Sequence, residues 1–170
     1  MNSHKKIEIL QTILLSNDVV DSINENMDLL LEILPEIDKL ISFDKIHQGT
    51  SIWKSTLCSL GLSKRNLDVR LSLLLNDISK PYTYSINGGV ATYKGHASAS
   101  SIIAKTTLSR IGYSESYTNK ICYLIQMHNK RVNSNDYIYN KELLSKILEI
   151  QRCSNVEFNK EIKPDFKMSK

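Results

Sequence analysis

The sequence predicts an all-α fold, a helical bundle with one small β-hairpin inserted in it. Two observations carry this reading. Apolar residues recur at helical spacing in one segment after another, as at Leu67, Leu71, Leu74, Leu75 and Ile78, a stripe along one side of a helix. Only PYTYSINGGVATYKG breaks the pattern: Tyr-, Thr- and Val-rich runs flank Asn87-Gly88-Gly89, residues that tolerate positive φ and so reverse the chain between two strands.

In chain order, a helix is expected near 5–15 and a second across NENMDLLLEIL, 24–34. Pro35 has no N–H to give a helix and starts a new turn before EIDKLIS. A loop over FDKIHQGT, 43–50, leads to a helix near 51–60, which Gly61 is placed to end, with Ser63 capping the next. That next helix carries the stripe and ends at Pro81. After the hairpin, helices are expected near 96–110 with a close at Gly112, from Ser114 through SYTNKICYLIQMHN, and over NKELLSKILEIQRC. NVEFNKEIKPDFKMSK is polar and reads as a loose tail.

A chain of 170 residues fits one domain, here 1–155 with a tail at 156–170. Its 41% hydrophobic and 24% charged residues exclude the disordered and fibrous classes. The N-terminal segment has no continuous apolar core of a secretion signal, and no run approaches a membrane span, so a cytoplasmic protein without membrane contact is expected. Cys58, Cys122 and Cys153 lie far apart in apolar-periodic segments without CxxC spacing; they read as buried thiols in a reducing compartment, not as a metal site.

Charge is distributed unevenly. Residues 1–50 hold nine acids against four lysines, whereas 80–131 hold seven Lys or Arg against the single acid Glu115. The second block suits an anionic partner, and equally suits solvated lysines. Within it, Tyr82, Tyr84 and Tyr93 offer rings for stacking on bases, or for cross-strand packing in the hairpin.

The candidate chemistry centres on LLLNDISKP. Asp77 and Lys80 fall at the end of the apolar helix, His96 at the start of a later helix and His128 near the end of another. A carboxylate, a cation and two imidazoles from three helix ends are the ingredients of a phosphate or metal site. His128 also follows Tyr117, Ile121, Leu124 and Ile125 on one apolar face, where a histidine is commonly part of the core.

IHQGTSIWKSTL, LLLNDISKP, YKGHASAS and LIQMHN stand in the order and at the distances found in HD-domain phosphohydrolases. The segment 44–155 resembles most closely the HD domain of some CCA-adding tRNA nucleotidyltransferases; residues 1–43 are additional N-terminal helices, and no nucleotidyltransferase head is present. Trp53, Thr56-Leu57, Leu74-Leu75, Asp77, Lys80-Pro81, Tyr93, Gly95-His96 and His128 carry the resemblance. It implies an all-α HD-like bundle whose metal is held by a His, a His-Asp doublet and a final Asp. At those positions this chain has Ser55, Asn76-Asp77 and Ser154, or its neighbour Cys153. Only Asp77 is retained, and His47 is a candidate replacement.

Amides and hydroxyls are weak donors to transition metals, so no tightly bound cofactor is expected, and at most weak Mg²⁺ or another divalent ion. The expected function is a degenerate HD-type domain that binds a nucleotide, an RNA end or another phosphorylated ligand through Lys80, His96 and His128 without efficient hydrolysis. The alternatives are an active metal-dependent phosphohydrolase or phosphodiesterase with a site rebuilt around Asp77, His96 and His128, in which Asp77 and Lys80 act catalytically, and a module for a protein partner or homo-oligomer.

Overall fold

The computed structural model describes residues 1–47, 52–133, 135 and 140–154, over which the chain is an all-α bundle with one two-stranded hairpin. The elements are α1 (Ser3–Leu14), α2 (Val19–Glu25), α3 (Met27–Ile33), α4 (Ile37–Ile46), α5 (Ile52–Leu62), α6 (Leu67–Leu75) and α7 (Lys80–Thr83). They continue with β1 (Ser85–Asn87), β2 (Val90–Thr92), α8 (His96–Ile111), α9 (Glu115–Met127) and α10 (Lys141–Ser154). No helix among the described residues is long and apolar enough to cross a membrane.

α6 is the axis of the bundle. Every residue from Asp68 to Leu75 is buried, so the helix is enclosed on all sides and not only along its apolar stripe. Its polar members are satisfied in place. Asp68 accepts from Lys120 at 2.7 Å and Lys146 at 2.8 Å. Arg70 donates to the carbonyls of Leu14 and Ser16, each at 2.8 Å, and to Ser63 Oγ at 3.2 Å. These bonds tie the end of α1 to the centre, and Leu10, Leu14, Ile23 and Leu30 share one apolar core with Leu71, Leu74, Leu108, Ile125 and Ile150.

Several boundaries differ from those the sequence suggests, each for a local reason. The expected helix over 24–34 is divided at Asn26, whose side-chain amide donates to the Ser22 carbonyl at 2.8 Å and closes α2 before α3 begins. The expected loop from Phe43 is helical to Ile46, because Phe43 is buried with Leu40 and Ile52; residues 48–50 of that loop, and 51 after it, lie outside the described residues. Gly61 does not end α5. It lies inside the helix where a Cβ would come 3.3 Å from Val20, which makes it a packing glycine between α2 and α5. Asn66, not Ser63, caps α6 by accepting from Val69 N at 3.1 Å. α6 stops at Leu75, and Pro81 sits in the first turn of α7, where its missing N–H costs nothing. Cys58 is exposed, since the buried positions of α5 are Ile52, Thr56 and Leu60; Cys122 and Cys153 are buried as expected. The polar tail 156–170 lies outside the described residues.

The hairpin pairs Ser85 with Thr92, Ile86 with Ala91 and Asn87 with Val90. Gly88 and Gly89, at φ 58° and 80°, make the turn. Tyr84 and Tyr93 stand at its base with ring centroids 5.7 Å apart, and Tyr84 also meets Phe43 and His47. Their rings are packing pairs, while Tyr82 is exposed. His47 belongs to this aromatic cluster.

Candidate functional site

The chain leaves the central helix at Asn76 and turns through Asp77, Ile78 and Ser79 into α7. Lys80 N donates to the Asp77 carbonyl at 2.9 Å, which returns the Lys80 side chain over its own turn, and Nζ pairs with Asp77 Oδ2 at 2.9 Å. Buried serines fix this turn against α8. Ser100 Oγ donates to Ser79 Oγ at 2.9 Å, Ser79 Oγ donates to the His96 carbonyl at 2.8 Å, and Ser79 N donates to Ser100 Oγ at 3.1 Å.

Gly95, at φ 82°, swings the chain from the hairpin into α8 and makes His96 its first residue. His96 Nδ1 lies 2.8 Å from the Tyr93 carbonyl, and His128 Nδ1, at the end of α9, lies 2.6 Å from the Ile125 carbonyl. A carbonyl only accepts, so each Nδ1 carries its proton and each neutral ring presents a lone pair at Nε2. Those two Nε2 atoms are 3.1 Å apart. Two lone pairs at that distance repel; a proton or a cation between them removes the conflict. Burial holds His128 below the ordinary imidazole pKa of 6.5, against the opposing pull of the Ile125 carbonyl and Asp77.

Asp77 Oδ1 completes the group. It is 3.5 Å from His96 Nε2, is buried, and has no hydrogen-bond partner. One carboxylate oxygen and two imidazole nitrogens thus lie within 4.8 Å of one another, a set able to hold a metal ion. Lys80 already places one positive charge against the same carboxylate and opposes a second.

These residues line a cavity of about 450 Å³, together with Asn129, Lys130, Arg131, Gln151 and Ser154. Gln151 Nε2 donates to the Met127 and Lys130 carbonyls, each at 2.8 Å, and so pins the turn that follows His128. Neither Lys130-Arg131 nor Gln151 stands out in the sequence. The two cations are visible there only as members of the basic block, directly after His128; Gln151 lies three residues before Ser154 and carries no signal of its own.

The positions at which the sequence resemblance would put metal ligands are placed differently. Ser154 lines the cavity, whereas Cys153 is fully buried, with burial pushing its thiol up to about 11. Asn76 is buried and its Nδ2 donates to Ser154 Oγ at 3.1 Å. Ser55 is half-buried on α5 and is not among the lining residues; its carbonyl accepts from Ser59 Oγ, which also donates to the Cys153 carbonyl. Amide and hydroxyl oxygens are weak donors to transition metals, and the Asn76 amide is turned to donate to Ser154 Oγ, so Ser55, Asn76 and Ser154 do not fit such a metal beside Asp77. The group Asp77, His96 and His128 does fit one by its donor chemistry.

No family model matches the chain, and no curated protein matches it.

Proposed function

We propose that this chain is a degenerate HD-type domain that binds a nucleotide, an RNA end or another phosphorylated ligand without hydrolysing it efficiently. The observation that carries the reading is the cavity itself: Lys80, His96 and His128, from three separate helices, line one open space beside Asp77. An ammonium supplies a point charge, and a ring that takes a proton at Nε2 and turns it to the ligand supplies a hydrogen bond. An open cavity also favours a ligand over the reading in which the scaffold serves a protein partner or homo-oligomer alone.

Efficient hydrolysis requires a hydroxide at neutral pH, and a metal provides it by lowering the pKa of bound water from about 16 to about 7. The positions Ser55, Asn76 and Ser154 offer no such metal a strong donor. Any divalent ion bound there, such as Mg²⁺, is held weakly through Asp77 and the ligand's own oxygens.

A second reading is favoured by one observation, the convergence of Asp77 Oδ1, His96 Nε2 and His128 Nε2. On that reading these three residues hold a metal that activates water, and the chain is a phosphohydrolase or phosphodiesterase with a rebuilt site.

Isothermal titration of chelator-treated protein with AMP, inorganic phosphate and a short RNA bearing a terminal phosphate tests the proposal. Binding should weaken with salt and in Lys80→Ala, His96→Ala and His128→Ala. If no phosphorylated compound binds, or if all three variants bind as well as wild type, the proposal fails. Metal-dependent turnover of about 1 s⁻¹ or faster, lost in Asp77→Ala, would put the second reading in its place.

A further inference from the structure

Resting on that reading, we propose that the cavity takes a ligand with two phosphate groups, one against Lys80, His96 and His128 and the second against Lys130 and Arg131 at the mouth. The inner end is nearly balanced in charge, because the Lys80 ammonium is 2.9 Å from the Asp77 carboxylate. With both rings neutral its donor is the Lys80 ammonium, and a ring adds a donor at Nε2 when it takes a proton. The mouth is the reverse. Lys130 and Arg131 are exposed and consecutive, and neither forms an ion pair among the described residues. Taking both histidines as neutral, the lining carries three cations and one carboxylate, so two uncompensated positive charges remain, and both sit at the outer end.

Two cations side by side, with no carboxylate paired to them among the described residues, raise the local potential, and an anion lowers it. The arrangement is also held in place. Lys130 follows His128 by two residues, His128 is fixed to the Ile125 carbonyl, and Gln151 bonds the carbonyls of both Met127 and Lys130. The Lys130 main chain is therefore tied to the same turn as the inner imidazole. The guanidinium of Arg131 suits the paired oxygens of a phosphate, and Lys130 adds a point charge. A cavity of about 450 Å³ is within the usual range for small-ligand sites, about 300 to 1,000 Å³, and exceeds what a single phosphate fills.

The test is isothermal titration of wild type, the Lys130→Gln/Arg131→Gln double variant and Lys80→Ala against AMP, ADP and adenosine 3′,5′-bisphosphate, all in chelator at low salt. ADP and the 3′,5′-bisphosphate present the second phosphate at short and long spacing. The better of the two should bind about ten- to a hundredfold more tightly than AMP, the worth of one or two charge-assisted hydrogen bonds. The double variant should lose that advantage while keeping the AMP affinity, and Lys80→Ala should weaken all three ligands. If AMP binds and neither diphosphorylated ligand binds more tightly, the second phosphate position is refuted while the proposed function stands. It is refuted equally if the double variant keeps the advantage, or if that variant loses AMP in equal measure, which would put a lone phosphate at the mouth. If none of the three ligands binds and inorganic phosphate and RNA also fail, both readings fall.

Discussion

Asn76 Nδ2 lies 3.1 Å from Ser154 Oγ, although 78 positions separate the two residues. The proposed HD-type reading would put metal ligands at Asn76 and at Ser154 or Cys153, and here the neutral side chains of Asn76 and Ser154 bond to each other. Replacing them together with Ser55, in Ser55→His/Asn76→His/Ser154→Asp, should raise the affinity for Mn²⁺ or Zn²⁺ well above that of wild type. Metal titration by calorimetry checks it; a triple variant that folds as judged by circular dichroism and binds no metal would remove the support that the resemblance gives to the proposed function.

Wild-type protein dialysed against a chelator and then desalted should retain no stoichiometric Fe, Mn, Zn, Ni or Co by elemental analysis, because Lys80 sits 2.9 Å from the only carboxylate in the group. One retained equivalent of metal, lost in both His96→Ala and His128→Ala, would favour the rebuilt-site reading.

Stability should fall as the pH drops below about 6.5, the unfolded imidazole value. Burial lowers the pKa of His128 in the folded chain, so in that window the unfolded state binds the proton more readily and gains relative to the native state. The loss begins as pH falls through 6.5 and is complete below the folded pKa. Urea midpoints at pH 7.5 and 5.5 should differ more in wild type than in His128→Gln. Equal differences would show that other groups govern the acid response.

Arg70 should be the costliest single charge to remove from the bundle. It is 4% exposed and donates to two carbonyls at the end of α1 and to Ser63. Arg70→Met leaves those buried acceptors without a donor, and a loss of about 3 kcal/mol is expected. Urea denaturation measures it, and a change under 1 kcal/mol would show that water reaches the vacated carbonyls, since about 1 kcal/mol is the low end for an unsatisfied buried group.

Much of this fold is legible in the sequence where a residue's chemistry admits few alternatives. Asn87-Gly88-Gly89 specifies the hairpin because both glycines take positive φ, and Gly112 closes α8 at φ 111° for the same reason. Apolar spacing locates α6, yet understates its burial, because a stripe reports one face and cannot show that Arg70 and Ser72 are enclosed by neighbouring helices. Boundaries at Asn26, Gly61 and Ser63 depend on which side chain reaches a particular backbone group, and periodicity does not encode that. At the site, Asp77, Lys80, His96 and His128 are distinctive residue types at helix ends. Ser79, Ser100 and Gln151 are not distinctive, and their part in it arises only when α7, α8, α9 and α10 meet.

The two imidazoles take their bearings from main-chain carbonyls, those of Tyr93 and Ile125, each three residues earlier in the chain. Almost any side chain at those two positions would present the same oxygen, so the aim of both rings is insulated from nearby substitution as long as α8 begins and α9 ends where they do. The bond between Asn76 and Ser154 enjoys no such insulation, since it joins two side chains and a replacement at either rewrites it. The residues beside the imidazoles can therefore change their chemistry while both rings stay aimed at the same point.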